Sequence, residues 1–384
     1  MTEGIDNAAT RIEHDPQRLA WAYLARAVQS PAPQMSKLVA EYGPIAVARA
    51  VKEGRLPETF AAATAARAHI DTAQRDLDMM AAIGGRLVTP EDPEWPQWRF
   101  LPFAGVEHEP GAGEPFALWA KGPRLLNEVT ERAIGIVGTR AASSYGEHVT
   151  GELAGDLAVD GWTVVSGAAF GIDGAAHRSA LGVGGATVAV LACGIDRAYP
   201  AGHSRLLRQI GQDGLVITEY PPGTTPARYR FLARNRLVAA LSDGVVVVEA
   251  GWRSGARNTA AWCRKLGRPV MAVPGPVTAA SSTGCNRMIR EGEAALITSA
   301  ADIVDVAGPI ELRDDTPVVE SRDTDILSGD AALVYEALPA SGTRSTLELS
   351  EDSGVPIDRV RASLPLLELE GFACADETGW SRRT

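Results

Sequence analysis

The chain of 384 residues carries 37 lysines and arginines against 48 aspartates and glutamates, which gives a net charge of −11. This acidity argues against a protein that coats nucleic acid through bulk positive charge, and the length predicts two or three domains. The sequence has no run of about 18 apolar residues and no basic or apolar N-terminal region, so we expect a cytoplasmic protein without a membrane span or secretory signal.

The first 83 residues have a helical pattern. Leu19, Tyr23 and Ala27 recur at helical spacing. The proline-rich segment at residues 30–33 separates two helices. We therefore predict a SAM-like helical domain over residues 1–83, with helices between residues 18 and 83.

Residues 84–306 alternate between strand-like and helix-like segments. The predicted strands are residues 134–137, 163–165, 187–191, 215–218, 244–249, 269–273 and 295–297. The predicted helices are residues 145–160, 174–182, 204–211, 234–242, 258–266 and 284–292. This alternation predicts an α/β fold with a doubly wound parallel sheet and helices on both faces.

The C-terminal part of the sequence is different. Residues 307–329 are polar and acidic without periodicity, which is typical of a linker. Three short helical patterns and a hairpin pattern follow, at residues 331–338, 345–351, 356–371 and 372–380. Three helices and a hairpin predict a winged-helix domain over residues 330–384. This segment has five basic and ten acidic residues, so we expect it to bind a partner or itself and not a DNA groove.

Two predicted strands end in glycine-containing loops, Gly138-Thr139-Arg140 and Ser166-Gly167. Glycine allows the backbone to approach a ligand closely, and amides that open a helix favour an anion. Ligands of open α/β sheets bind beyond the carboxyl ends of the strands, where the strand order reverses. We therefore hypothesise a phosphate-bearing ligand at this crevice.

The usual nucleotide-binding motifs are absent. No G-x-x-x-x-G-K-[ST] sequence occurs, which argues against a P-loop NTPase. The loop at residues 166–171 lacks the G-x-G-x-x-G spacing, and its strand ends in serine where a dehydrogenase has a ribose-binding carboxylate. Cys193, Cys263, Cys285 and Cys374 are scattered without a C-x-x-C pair, so we expect buried or idle thiols, no metal and no cofactor.

Two residues of the core segment could act in acid–base chemistry. His177 has no evident nucleophile or metal partner in the sequence, which favours a structural histidine. Glu249 ends a central strand and faces the crevice, where it could act as an acid or base. We favour the alternative that it accepts hydrogen bonds from loop amides.

The most basic segment is residues 228–236, which contains four arginines together with Tyr229, Phe231 and Asn235. Cations interleaved with an aromatic ring are typical of single-stranded nucleic acid binding, because every nucleotide offers a charge and a base face. A solvated basic helix start with Phe231 in the core explains the same composition. On composition alone the two interpretations are about equal.

Six motifs in series resemble the DNA-processing protein A (DprA/Smf) family over roughly residues 84–305. They are Gly138-Thr139-Arg140 with Ser144-Tyr145-Gly146; Ser166-Gly167, Ala169 and Gly171-Ile172-Asp173 with Ala176-His177; Cys193-Gly194-Ile195-Asp196 with Tyr199-Pro200; Arg228, Phe231 and Arg234-Asn235-Arg236; Ser254-Gly255 with Thr259-Ala260; and Val273-Pro274-Gly275. The resemblance implies an extended Rossmann-like domain over residues 84–306, in a homodimeric, non-catalytic protein that binds single-stranded DNA. It implies protection of incoming DNA in natural transformation and loading of the RecA recombinase onto it.

The resemblance also implies which residues bind the DNA. They are Gly138, Thr139, Arg140, Ser166, Gly167, Arg228, Phe231, Arg234, Asn235, Arg236, Ser254, Gly255 and Thr259. Arg140 would bind a phosphate, helped by the amides of Gly138 and Thr139, and Phe231 would stack on a base. Leu232 replaces the family's usual proline. The N-terminal bundle lacks the glycine hairpin of helix-hairpin-helix proteins, so we expect it not to contact DNA.

Two other functions remain as alternatives. A nucleoside-monophosphate phosphoribohydrolase would use a related Rossmann-like core, although the loop at residues 251–259 lacks the P-G-G-x-G-T motif of such enzymes. An interaction adaptor with a vestigial phosphate crevice would fit the acidic net charge.

Overall fold

The computed structural model describes residues 14–28, 31–252, 254–308, 327–376 and 378–383. The chain divides into two compact units, Met1–Pro309 and Ile310–Thr384. Within the described ranges no helix is long and apolar enough to cross a membrane. Most of the predicted linker, residues 307–329, lies outside the described residues, and the finer domain boundaries stay a prediction.

Five helices open the described part of the first unit, which confirms the helical pattern predicted between residues 18 and 83. They are α1 (Pro16–Ala27), α2 (Pro33–Tyr42), α3 (Pro44–Lys52), α4 (Glu58–Thr64) and α5 (Ala73–Ala82). A proline stands at the start of each of the first three helices, where its missing N–H removes no helical hydrogen bond. The apolar faces of these helices enclose Tyr23, Leu24 and Met35.

A nine-stranded sheet forms the centre of the first unit. Its strands are β1 (Gly85–Val88), β2 (Leu118–Lys121), β3 (Ala133–Val137), β4 (Thr163–Ser166), β5 (Thr187–Val190), β6 (Leu215–Thr218), β7 (Gly244–Val247), β8 (Val270–Ala272) and β9 (Ala295–Leu296). All seven predicted strands are present. Strand β2 is not among the predicted strands, because its four residues include no β-branched residue.

Nine helices lie between the strands or directly flank them in the described part of this unit. They are α6 (Gln97–Phe100), α7 (Leu126–Val129), α8 (Ser144–Val159), α9 (Ile172–Gly182), α10 (Ser204–Asp213), α11 (Arg228–Ala240), α12 (Ala256–Lys265), α13 (Thr283–Arg290) and α14 (Ala300–Ala307). Because side chains alternate along a strand, Val245 and Val247 of β7 pack with α11 and α12, whereas Val246 packs with α8 and α9. Helices therefore cover both faces, and the predicted doubly wound fold is confirmed.

The strand order is β1-β2-β6-β5-β4-β3-β7-β8-β9. The strands from β6 to β9 are parallel, and β1 and β2 continue the sheet as antiparallel strands. The chain proceeds outward in one direction from β3 to β6 and in the other from β7 to β9. The loops after β3 and β7 therefore meet at the point where a crevice opens in such sheets.

The N-terminal helices share a hydrophobic core with the antiparallel edge of the sheet. Leu87, Phe116 and Trp119 from the strand region pack with residues of the helices. The ring centroids of Trp21 and Phe116 are 5.1 Å apart. Helices and sheet therefore belong to one compact unit.

The second unit contains α15 (Asp330–Ala337), α16 (Thr346–Ser353), α17 (Ile357–Leu369) and a hairpin of β10 (Ala373–Asp376) and β11 (Gly379–Arg382). Ser345 and Glu348 form a capping box at the start of α16, which satisfies two otherwise unpaired amides. Val334, Leu349 and Val360 lie in its small core. The predicted helices and hairpin are present, and their identification as a winged helix stays a prediction.

Candidate nucleic-acid interface

A cavity of about 900 Å³ lies beyond the carboxyl ends of β3 and β7, beside α11. We call it the main cavity. Eleven of the thirteen predicted binding residues line it: Gly138, Thr139, Arg140, Gly167, Arg228, Phe231, Arg234, Asn235, Ser254, Gly255 and Thr259. The fold therefore gathers four separate sequence motifs around one space. Ser166 and Arg236 are outside the lining.

The loop after β3 brings Arg140 to the main cavity. A side chain at Gly138 would lie 2.5 Å from Ile172 and 3.0 Å from the carbonyl oxygen of Glu249, so only glycine fits there without displacing the backbone. The amide of Thr139 donates to that same carbonyl of Glu249 at 2.7 Å. The expectation that the Thr139 amide helps to bind a phosphate is therefore wrong, because a backbone partner already occupies it.

The loop after β4 is closed on itself by Asp173. The carboxylate of Asp173 accepts the amides of Gly167 at 3.1 Å and Ala169 at 3.4 Å. Ser166 is fully buried and donates its hydroxyl hydrogen to the carbonyl of Ile136 at 2.6 Å. The prediction that Ser166 lines the cavity is therefore wrong. The floor of the main cavity is a carboxylate–amide network and not a free set of amides.

Arg234 adds a buried cation to this floor. Its side chain is only 5% exposed and donates to the carbonyl of Val190. A side chain at Gly167 would meet the Arg234 guanidinium, so the guanidinium would have to move to admit one. Burial lowers the pKa of Arg234 and raises the pKa of Asp173, and the attraction between the two opposite charges counteracts both shifts.

Arg236 is a structural residue in this fold. It is fully buried and forms two hydrogen bonds with the carboxylate of Glu219, at 2.9 and 2.6 Å. This paired geometry leaves its charge compensated within the protein. The prediction that Arg236 continues the DNA-binding wall is therefore wrong in its geometry, because the side chain points away from the main cavity toward Glu219.

Helix α11 begins at Arg228, six residues before the predicted start at residue 234. Residues three and four positions apart lie on one face of a helix. Arg228, Phe231 and Asn235 therefore share the face that lines the main cavity, together with Leu232. Leu232, which replaces the family's usual proline, lies inside a regular helical turn and not in a loop.

Phe231 is half-buried between two other residues of the cavity. Its ring centroid lies 5.4 Å from that of Tyr199 and 5.2 Å from the guanidinium carbon of Arg140. Burial of this degree is intermediate between the two sequence interpretations, a core anchor and an exposed stacking surface. Tyr199 belongs to one of the six motifs but is not among the predicted binding residues.

The opposite wall comes from the loop after β7 and from α12. The side-chain amide nitrogen of Asn235 donates to the side-chain oxygen of Asn258 at 3.2 Å and to the Gly255 carbonyl at 3.4 Å. These two hydrogen bonds join α11 to this wall. Trp252, next to the lining residue Gly251, is 51% exposed and lies 3.8 Å from the guanidinium carbon of Arg287. An isolated tryptophan next to a glycine is too weak a sequence signal to identify this residue.

The two candidate acid–base residues are engaged in structural contacts. Glu249 accepts the amide and the hydroxyl of Ser143 at 2.9 and 2.7 Å, and the hydroxyl of Ser281 at 3.0 Å. This agrees with the interpretation that we favoured. His177 is fully buried, and its Nδ1 lies 2.7 Å from the hydroxyl of Thr187. Burial lowers the pKa of His177 to about 3, so the ring is neutral near pH 7.

The cysteines also have no chemical role at this site. Burial raises the pKa of Cys193 to about 11 and the pKa values of Cys263 and Cys285 to about 12. Only the thiolate is a strong nucleophile or metal ligand. In the described part of the chain no group of three or more histidine, cysteine, aspartate or glutamate residues could hold a metal ion.

The chain is similar to known proteins and to solved structures. The family model described as DNA recombination-mediator protein A matches residues 86–308. The DprA protein of Mycobacterium tuberculosis is 50% identical over 369 residues, which cover 95% of this chain and 94% of that protein. Protein Smf of Escherichia coli is 36% identical over 273 residues, 70% of this chain and 72% of that protein. The X-ray structure of DNA processing protein A from Streptococcus pneumoniae superposes with a TM-score of 0.60 at 29% identity, and the match covers 77% of this chain and 98% of that one.

Proposed function

The chain belongs to the DNA recombination-mediator protein A family, and we propose that it binds single-stranded DNA in the main cavity without catalysis. This membership confirms the predicted resemblance to DprA/Smf proteins. The role of the chain lies in DNA processing. The family is described by DNA recombination and processing and not by an enzymatic reaction, in agreement with the prediction that the protein is not an enzyme.

The observation that carries the proposal is the combination of charge and aromatic surface in the main cavity. Arg140, Arg228 and Arg234 line it against one carboxylate, Asp173. Arg140 and Arg228 have no acidic partner among the described residues, so two cations remain available for phosphates. The ring of Phe231 lies 5.2 Å from the guanidinium carbon of Arg140 and on the same face of α11 as Arg228. Phosphate binding beside a stacking surface is what a single strand requires.

The depth of the aromatic ring supports a single strand over a duplex. Phe231 is half-buried, with Tyr199 and Arg140 on its sides. A base must leave its neighbours to reach a recessed ring, and the bases of a single strand do so at little cost compared with those of a duplex.

We also infer the assembly and the partner from the family resemblance. A two-fold homodimer would place two main cavities on one particle, and one strand bound to both would gain avidity without new contacts. The partner would be the RecA recombinase, loaded onto the bound strand in DNA uptake and recombination. Light scattering at micromolar concentration, with and without DNA, tests the dimer, and a constant monomer mass would contradict it.

The phosphoribohydrolase alternative receives no support from the acid–base residues. The Glu249 carboxylate accepts three hydrogen bonds from serine groups, and His177 is buried against Thr187.

The deciding experiment is a filter-binding comparison of single- and double-stranded DNA across a salt series, beside a base-release assay on nucleoside monophosphates. We expect tighter binding of the single strand and no hydrolysis. Hydrolysis without DNA affinity would overturn the proposal.

A further inference from the structure

A second cavity, of about 270 Å³, lies between the N-terminal helices and the loop after β6. It is lined by Arg26, Arg67, Ile70, Gly223, Thr224, Thr225 and Arg230. We call it the second cavity. Three of its seven lining residues are arginines and none is acidic, so the space suits an anion.

The charge of one of these arginines is compensated, and the charges of the other two are not. Arg26 forms two hydrogen bonds of 2.7 Å with the carboxylate of Asp76 and donates to the carbonyl of Pro222 at 2.9 Å. Arg67 has no acidic partner within the described residues. Arg230 donates to the carbonyl of Thr225, and its Nε is buried without a hydrogen-bond partner.

Two further polar side chains near the second cavity already have hydrogen-bond partners. The hydroxyl of Thr224 donates to the carbonyl of Pro221 at 2.7 Å. The carboxylate of Asp196 accepts the amide of Gly223 at 2.9 Å but is not itself part of the lining. An anion in this cavity would therefore meet the uncompensated guanidinium groups of Arg67 and Arg230, without a carboxylate in the lining to repel it.

The second cavity is adjacent to the main cavity. Thr225 lines the second cavity, and the next residue, Pro226, lines the main cavity. Helix α11 starts two residues later, and residues two positions apart on a helix point to different sides. Arg228 therefore serves the main cavity while Arg230 serves the second. The N-terminal end of α11, where the helix dipole is positive, lies between them.

We propose that the second cavity binds a phosphate of the same DNA strand whose nucleotide occupies the main cavity. The strand would pass around the N-terminal end of α11 and meet Arg67 and Arg230. This inference rests on the proposed single-strand binding. It reverses the expectation that the N-terminal helical segment does not contact DNA, because Arg67 belongs to that segment.

The test is Arg67→Gln in the full-length protein, with Arg49→Gln as a matched control. Arg49 is exposed on α3 and lies in neither cavity. Binding is measured on an oligothymidylate of about twenty nucleotides, longer than the roughly 4–16 nucleotides typical of one binding module. Arg67→Gln should weaken binding about 2- to 5-fold, as for an exposed ion pair. It should also flatten the slope of log K against log salt by about 0.7.

Two further measurements separate this role from a structural one. Arg67→Lys keeps the charge and should restore the wild-type salt slope. A dinucleotide fills only the main cavity, so its affinity should be the same for Arg67→Gln and the wild type. An unchanged affinity and slope of Arg67→Gln on the long strand, or an equal effect of Arg49→Gln, would overturn the second site and leave the main site standing. A wild-type protein that bound no single strand would overturn the proposed function and this inference with it.

Discussion

The guanidinium carbon of Arg140 lies 5.2 Å from the centroid of the Phe231 ring. Arg140 follows β3 and Phe231 belongs to α11, so two distant segments meet across the main cavity. A cation at this distance from an aromatic face is attracted to it, typically by about 0.5–1 kcal/mol at an exposed site. The contact holds a cation next to an aromatic ring, the two groups that we propose for phosphate binding and base stacking.

Phe231→Ala is expected to weaken single-strand binding without changing its salt dependence. Base–aromatic stacking contributes about 1–3 kcal/mol per base, which corresponds to a roughly 5- to 150-fold loss of affinity. The ring carries no charge, so the slope of log K against log salt should stay constant. Filter binding across a salt series measures both quantities, and Tyr42→Ala, which removes an exposed ring on α2, is the control.

A thermal melt of Phe231→Ala tests the competing role of this ring. A fully buried phenylalanine would cost about 3–5 kcal/mol of folding stability on truncation. Phe231 is only half-buried, so we expect a clearly smaller loss. A large drop in melting temperature with unchanged affinity per folded molecule would identify Phe231 as a core residue instead.

Arg140→Ala is expected to weaken binding and also to flatten the salt slope by about 0.7, the value for one lost single-strand phosphate contact. The preference among base sequences should not change, because phosphates carry no sequence information. Arg205→Ala, an exposed arginine of α10 outside both cavities, should leave the slope unchanged. Equal slopes for the wild type and Arg140→Ala would remove Arg140 from the binding site.

Arg236→Ala should act on folding and not on binding. Removing one partner of a buried ion pair typically costs about 3–5 kcal/mol, because the other charge is left uncompensated. Here Glu219 would be left without the two hydrogen bonds that it accepts from Arg236. Urea denaturation measures the loss, and a salt series at a temperature where the variant is folded should give the wild-type slope. A flattened slope with normal stability would return Arg236 to the DNA-binding surface.

His177 should make the protein less stable as the pH falls. Burial lowers its pKa in the folded protein to about 3 from the ordinary value of 6.5, so between these values the unfolded chain binds a proton that the folded chain does not. The contribution of neutral His177 to the free energy of unfolding is fully present above about pH 6.5. It is lost toward pH 3, by up to about 1.4 kcal/mol per pH unit.

In His177→Asn the free energy of unfolding should therefore depend less steeply on pH between about 6.5 and 4. His148→Asn alters an exposed histidine of α8 and should keep the wild-type slope. Denaturant titrations at several pH values give these slopes. Identical slopes for the wild type and His177→Asn would mean that His177 is protonated in the folded protein.

The C-terminal unit should not bind duplex DNA. Residues 330–384 have five basic and ten acidic residues, and Arg359, one of two arginines of α17, lies 3.3 Å from the carboxylate of Asp330. A recognition helix needs free cations to neutralise phosphates. A gel-shift assay of residues 327–384 at physiological salt should show no complex. A shifted duplex would contradict the proposed partner-binding role.

Local sequence patterns determined most of the architecture. The alternation of apolar runs with helix-like segments predicted all seven strands from Ala133 to Leu296. Hydrophobic periodicity and glycine placement are local properties, so neighbouring residues alone reveal them. The position of the crevice also followed, since parallel strands have their carboxyl ends at one edge. The motif series identified the family. These features are encoded within a few residues of the chain, so they are readable before the chain folds.

The tertiary structure decided which of the basic residues face the main cavity. Arg228, Arg234 and Arg236 look alike in sequence, but Arg236 pairs with Glu219 and Arg234 is buried beside Asp173. Of these three arginines, only Arg228 is exposed in the main cavity. A charge enters the protein interior when a compensating partner arrives from elsewhere in the chain. Here the partners are Asp173 and Glu219, which follow β4 and β6 and meet α11 only when the chain is folded. The sequence around residue 234 therefore does not reveal them.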